Sequence, residues 1–161
     1  MSESPCFYAG DRYNFKDSIG RQLFDVMMMF RREADARMTK LGLTDAQWKP
    51  LWMIQAGRAT TANELARESG IDAGAVTRTL DRLEAKGLIE RVRSESDRRV
   101  VHLKLTAAGE AAAAQIPHVL ASVNNDMLRG FSERDFQTLR KLLERLGENG
   151  RALQSNATEA A

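Results

Sequence analysis

Cysteine occurs once and histidine twice among the 161 residues, so the sequence excludes a disulfide within the chain and offers no His/Cys metal cluster. Cys6 stands alone near the start, and neither His102 nor His118 has a neighbour at metal-ligand spacing. A glycine-rich phosphate loop and a nucleophile beside a local base are also missing, so no cofactor, no metal and no enzymatic reaction are expected. No apolar run is long enough to span a bilayer. The opening MSESPCFYAGD lacks the basic start and apolar centre of a secretory leader, and the expected location is cytoplasmic. Charge is nearly balanced. With 24 Lys/Arg against 22 Asp/Glu the net charge is +2, so any affinity for nucleic acid must come from where the cations stand.

What the chain does have is helical periodicity, organised around residues 63–106. Thr61 and, three residues on, Glu64 have the capping-box spacing, in which hydroxyl and carboxylate each accept from an otherwise orphaned backbone N–H, so a helix starts there. Leu65 and small Ala66 supply its buried side, and Gly70 is free to take positive φ in the turn before Ile71. Asp72 caps a second helix, DAGAVTRTLDRLEAK, and Gly87 suits the position just past its end. At 3.6 residues per turn Val76, Leu80 and Leu83 share one narrow arc, which faces the core and leaves Gly74, Ala75, Arg78 and Arg82 outward. Two β-rich runs, IERVRS and VVHLKL, then overlap or flank the polar stretch SESDRR, describing a hairpin with a charged tip. Two helices joined by a tight turn and followed by such a ribbon make a winged helix-turn-helix.

The outward residues suit duplex DNA. A small first turn lets the second helix approach a surface closely, its two arginines stand one turn apart, and Arg contacts guanine O6 and N7 bidentately. Thr77 is placed for a phosphate or a base edge. At the ribbon tip Arg98 or Arg99 reaches for a minor groove or phosphates, with Asp97 near enough to hold one guanidinium. Residues 72–106 carry eight Lys/Arg against six Asp/Glu, an excess equal to that of the whole chain, so charge alone supports this reading only mildly.

On these residues the chain resembles the MarR family of bacterial transcription regulators. Asp97-Arg98-Arg99 followed by LKLTAAG matches that family's wing and helix entry, TRTLDRLEAKGLI from Thr77 matches its recognition helix, and the remaining helices fit its layout over residues 17–150. The resemblance implies a homodimer that binds double-stranded DNA at a pseudo-palindromic operator, a repressor by family habit, and is released by a small aromatic ligand or by oxidation. It further implies that an aromatic carboxylate or phenol binds in the crevice between the reading head and the dimer helices. Tyr13, Arg21, Trp48, Lys49 and Trp52 match that region, with rings stacking on the indoles and Arg21 or Lys49 pairing with a carboxylate. Two alternatives stand beside this reading: redox sensing through Cys6, and a winged helix used for protein or RNA binding.

The flanks complete the expected layout. Residues 1–16 form an aromatic segment with Phe7, Tyr8 and Tyr13, docked on a helix of its own or a partner chain. Ile19, Leu23, Val26, Met27, Phe30, Ala34, Met38 and Leu41 mark a long helix over about 17–42, with an apolar face wider than one domain needs. A helix capped by Thr44 carries Trp48 and Trp52 one turn apart around Pro50. After the wing come a helix with Pro117 inside it and a last helix striped by Phe136, Leu139, Leu142, Leu143 and Leu146. The expectation is therefore a mainly α chain with a small β-hairpin wing. A single domain spans 17–150, with the winged helix-turn-helix at about 44–106 and dimerisation helices at about 17–42 and 106–150, followed by a disordered tail at 151–161.

Overall fold

In the computed structural model, which describes residues 5–97 and 99–159 (the last three by backbone alone), helices begin where the sequence places acceptors for orphan N–H groups. Ser18 Oγ accepts from the Arg21 N–H at 3.2 Å where α1 (Ile19–Lys40) opens. Thr44 precedes α2 (Asp45–Gln55), and its N–H donates to Gln47 Oε1 at 3.2 Å. Thr61 Oγ1 accepts from the Glu64 N–H at the start of α3 (Ala62–Ser69), and Glu64 Oε2 accepts from the N–H groups of Thr60 and Thr61 at 2.7 and 3.1 Å. These bonds, that from the Thr60 N–H foremost, hold the Glu64 carboxyl below its usual range. Gly70 takes φ +65° in the turn, and Asp72 Oδ2 accepts from the Ala75 N–H at 3.0 Å to open α4 (Ala73–Ala85).

Strands β1 (Ile89–Arg93) and β2 (Val101–Leu105) pair antiparallel, Ile89 opposite Leu105 and Arg93 opposite Val101. The β2 residue Leu103 also donates its N–H to the Thr60 carbonyl at 2.7 Å, which ties the wing to the loop before α3. Two further helices follow, α5 (Ala107–Met127) and α6 (Glu133–Glu159). The result is a mainly helical chain with a two-stranded antiparallel wing. Among the described residues no helix is long and apolar enough to cross a membrane.

The chain divides into two compact units, one ending at Val123 and the other starting at Asn124. In the first, one hydrophobic cluster joins Met38 and Leu43 to Trp48, Leu51 and Met53, then to Leu65, Val76, Leu80 and Leu83, and to Ile89, Leu103 and Ile116. The stretch from α2 to β2, the reading head, thus closes within this one chain, with Met38 of α1 and Ile116 of α5 completing its core. α5 locks onto its base. Thr106 Oγ1 donates to the Gly87 carbonyl at 2.6 Å, and an added Cβ on Gly109 would lie 1.8 Å from the Leu88 carbonyl oxygen, so only glycine fits there. α1 contributes Ala34 and Met38 to the interior while Ile19, Leu23, Phe24 and Met27 to Met29 stay exposed. The N-terminal aromatic segment docks on the start of this same helix: Tyr8 Oη accepts from the Ile19 N–H at 2.9 Å, and Tyr8 meets Tyr13 edge-on at 5.8 Å.

In the second unit Ser132 and Asp135 cap α6 reciprocally, and the Ser132 hydroxyl and N–H hold the Asp135 carboxyl below its usual range. The tail expected to be disordered from residue 151 instead continues α6 to Glu159. Gly147 and Gly150 do not end the helix, and RALQSNATE beyond them is rich in residues that lose little on becoming helical. Pro50 and Pro117 likewise lie inside α2 and α5, which continue past them to Gln55 and Met127.

Candidate nucleic-acid interface

The orientation of α4 follows from its stripe. Leu80 and Leu83 are fully buried and Val76 nearly so, which places Gly74, Thr77, Arg78, Asp81 and Arg82 on the opposite, exposed side. Arg78 and Arg82 make no ion pair among the described residues, so both guanidiniums are open to an incoming anion. A Cβ on Gly74 would stand 3.0 Å from Asp72 Oδ2, so glycine there keeps the cap undisturbed. Two expected contacts look different in the structure. Ala75 is half-buried: its N–H is taken by the cap, and it also lines an adjacent cleft together with residues of α2. Thr77 is exposed, but its hydroxyl donates to the Ala73 carbonyl at 2.9 Å, so without rotating it can only accept a hydrogen bond and offers no proton to a phosphate.

In the wing, Ser94 N–H reaches the Val100 carbonyl and Val100 N–H the Asp97 carbonyl, each at 2.9 Å, closing the tip. Asp97 Oδ1 accepts from the Arg99 N–H at 3.0 Å and from Arg99 Nε at 3.3 Å, so the carboxylate orients the guanidinium as expected. The Arg99 side chain remains 92% exposed. Arg98 lies outside the described residues.

A third arginine of the wing has a different occupation. Arg91 on β1 places Nη2 2.7 Å from Asp81 Oδ1 and Nη1 2.7 Å from Glu84 Oε2, joining the ribbon to the outer side of α4. Sequence reasoning passed over it. A signal was present, since Arg91 is two residues from buried Ile89 and so shares the strand face directed toward α4. Lys86, at the end of α4, donates to the Gly42 carbonyl and to Gln47 Oε1, both at 2.9 Å, tethering that end to the α1–α2 turn.

A MarR family model matches residues 43–101, the stretch that holds α2, α3, α4 and β1. The reduced form of MarR from E. coli superimposes with a TM-score of 0.74 at 30% identity, over 83% of this chain and 98% of that one. The chain belongs to the MarR family. A cysteine-to-serine mutant of E. coli MarR complexed with operator DNA is similar at 30% identity and TM-score 0.70, covering 83% of this chain and 99% of that one. A probable transcriptional regulator from Pseudomonas aeruginosa matches at 28% identity and TM-score 0.68, over 83% and 99%. As a MarR-family protein the chain is a DNA-binding transcription regulator and not an enzyme.

Beside the recognition helix this MarR-family head holds a cleft of about 640 Å³. Trp48, Lys49, Pro50 and Trp52 of α2 line it together with Leu65 of α3 and Ala75, Val76 and Thr79 of α4. Of the residues expected to meet an aromatic ligand, three are therefore brought together and two are not. Tyr13 packs on Tyr8, and Arg21 pairs with Asp25 one turn on, at 2.8 Å, with its guanidinium over the Phe15 and Phe24 rings. Arg31 and Arg58, which the sequence did not single out, stand at the cleft instead.

Every cation there faces a carboxylate: Arg31 and Lys49 flank Asp45, and Arg58 meets Glu68 at 3.0 Å. Burial alone would raise the Asp45 carboxyl, but the hydrogen bond and charge of Lys49, with Asp35 and Arg31, bring it below the ordinary range. Asp35 moves the other way. Burial raises it and the charge of Asp45 adds to this, against the hydrogen bond it accepts from Trp48 Nε1 at 3.4 Å. Cys6 is exposed and donates to the Tyr8 carbonyl at 3.3 Å. No group of His, Cys, Asp and Glu suited to a metal ion occurs among the described residues.

Proposed function

We propose that this chain acts as a homodimer on a pseudo-palindromic operator and represses transcription by occupying it. The observation that carries the reading is the pair Arg78 and Arg82, exposed on α4 opposite its buried stripe, with Arg99 held by Asp97 at the wing tip. Two recognition helices about one helical turn of DNA apart, ~34–36 Å, would read successive major grooves while the wings meet the flanking minor grooves. The apolar residues left exposed on α1 and on α6 support a second copy as the partner that covers them. A cytoplasmic location goes with this reading.

Selection from a random duplex library tests it. The expected outcome is an enriched two-fold site with half-sites one turn apart, and Arg78→Ala should cost about 1–3 kcal/mol and relax one base position. Equal, steeply salt-dependent binding to every duplex would leave only phosphate contacts and overturn the sequence-reading role of Arg78 and Arg82.

The cleft favours an effector of the aromatic acid or phenol class. Its two indoles offer stacking surface, and Lys49 and Arg58 are the cations an anionic group would share with Asp45 and Glu68. A ring entering here would press on Ala75 and Thr79 of the recognition helix itself, which gives binding a route to operator release. Titration with a panel of hydroxybenzoates should change tryptophan fluorescence, and Trp52→Phe should weaken the response. Flat fluorescence across the panel rules the effector class out.

A further inference from the structure

We propose that Arg91 is a positioning residue for DNA binding, acting through Asp81 and Glu84 to hold the wing against the recognition helix and to neutralise the two carboxylates that α4 carries beside Arg78 and Arg82. This rests on the reading that α4 and the wing are the DNA-binding elements. Its own basis is the fork: one guanidinium, on β1, hydrogen-bonds Asp81 Oδ1 and Glu84 Oε2, each at 2.7 Å, with one η nitrogen for each carboxylate. Such a planar two-pronged link fixes direction as well as distance, which a lysine ammonium does not.

The placement gives the link its meaning. Asp81 immediately precedes Arg82 and stands three residues after Arg78, on the exposed side of the helix, and its side chain is 56% exposed. Left alone, Asp81 and Glu84 would offer two negative charges to a phosphate backbone at the place where two arginines are offered to the bases. With Arg91 in the fork the local charge on that stretch falls from two negative to one. The same bonds couple the only two strands described to the helix beside them, so the wing tip that holds Arg99 keeps a fixed bearing on α4. Arg91 itself is the more covered member of the trio, its side chain 30% exposed, as suits a group directed at protein and not at the ligand.

The test is a double-mutant cycle on the full-length protein, read by fluorescence anisotropy with a labelled duplex selected from a random library by the wild type. Arg91→Gln should weaken binding to that duplex by roughly tenfold or more. In the Asp81→Asn, Glu84→Gln background the same Arg91→Gln change should cost less than about threefold, because the charges it serves are gone. Thermal midpoints of all four proteins should stay close together, since partly exposed ion pairs contribute little to folding. An Arg91→Gln loss of equal size in both backgrounds would mean that Arg91 touches DNA directly, and no loss in either would mean that the fork is incidental; either result overturns the proposal. Failure of the wild type to enrich any duplex would instead remove the reading on which the proposal rests, as would an Arg78→Ala protein that binds the selected duplex unchanged.

Discussion

Leu80 and Leu83 of α4 are fully buried, whereas Leu142, Leu143 and Leu146 of α6 are 49, 44 and 44% exposed, although both helices carry an apolar stripe at helical spacing opposite a charged side. The stripe determines which side of a helix is apolar. What covers that side depends on residues elsewhere. For α4 the cover comes from the same chain, through Leu51, Leu65, Ile89 and Leu103. For α6 each leucine forgoes a large part of the roughly 1.5–3 kcal/mol that full burial of such a side chain contributes. The proposed second copy would recover it. The reading head is therefore a closed structure built within one chain, and α6, like the first half of α1, is an open one.

The sharpest way to break this contrast is to open the closed side. Leu80→Ala should lose about 2–5 kcal/mol of unfolding free energy, measured by chemical denaturation, because the cavity has no way to fill from solvent. Gly109→Ala should cost about 1–3 kcal/mol through overpacking, since the new methyl meets the Leu88 carbonyl oxygen and can be relieved only by shifting α5 off the wing's base. On the open side the effect should be smaller and of another kind. Leu143→Ala with Leu146→Ala should weaken self-association by roughly tenfold, about 1.4 kcal/mol, in sedimentation equilibrium while leaving dilute-protein helicity in place. A pair of leucine changes that lowered stability without touching association would show that α6 is covered from within its own chain.

Much of the head was legible because its signals are local. Capping residues at Thr61 and Asp72, the three-residue and four-residue steps of Val76, Leu80 and Leu83, and the hairpin's two runs each lie within a dozen residues of what they determine. The placements that the sequence did not show depend on partners that periodicity does not name. Ala75 sits at the edge of the outer arc, and only the presence of α2 turns it into a cleft residue. Arg91 takes its partners from α4, seven and ten residues back in the chain. Tyr13 and Arg21 were placed by analogy of layout, and in the structure Arg21 meets the carboxylate of Asp25 one turn along its own helix. The helical extension past residue 150 shows the opposite limit. The small and polar tail was expected to be disordered, yet Gly147 and Gly150 do not adopt positive φ, and the good helix formers beyond them carry the helix on.

The smallest predicted effects concern charge where α1 meets the closed head, where two neighbouring aspartates should respond to pH with opposite signs. Asp35 is held above its ordinary value of 3.8, so its ionisation opposes folding at neutral pH, and protonation relieves that cost as pH falls through the raised value. Asparagine removes the charge and keeps an oxygen for the Trp48 indole N–H. Asp35→Asn should therefore be slightly more stable than wild type at pH 7, by less than about 2 °C in thermal midpoint, with the gap closing under acid. Asp45 is held below 3.8, so its contribution is present above that value and lost as pH falls through the folded one. Asp45→Asn, which leaves Arg31 and Lys49 without their shared carboxylate, should be less stable at pH 7 and approach wild type in acid. Midpoints that moved in the same direction for both variants would mean that the two carboxylates titrate as one group, and that the cleft's ion pairs do not set Asp45 apart from its neighbour.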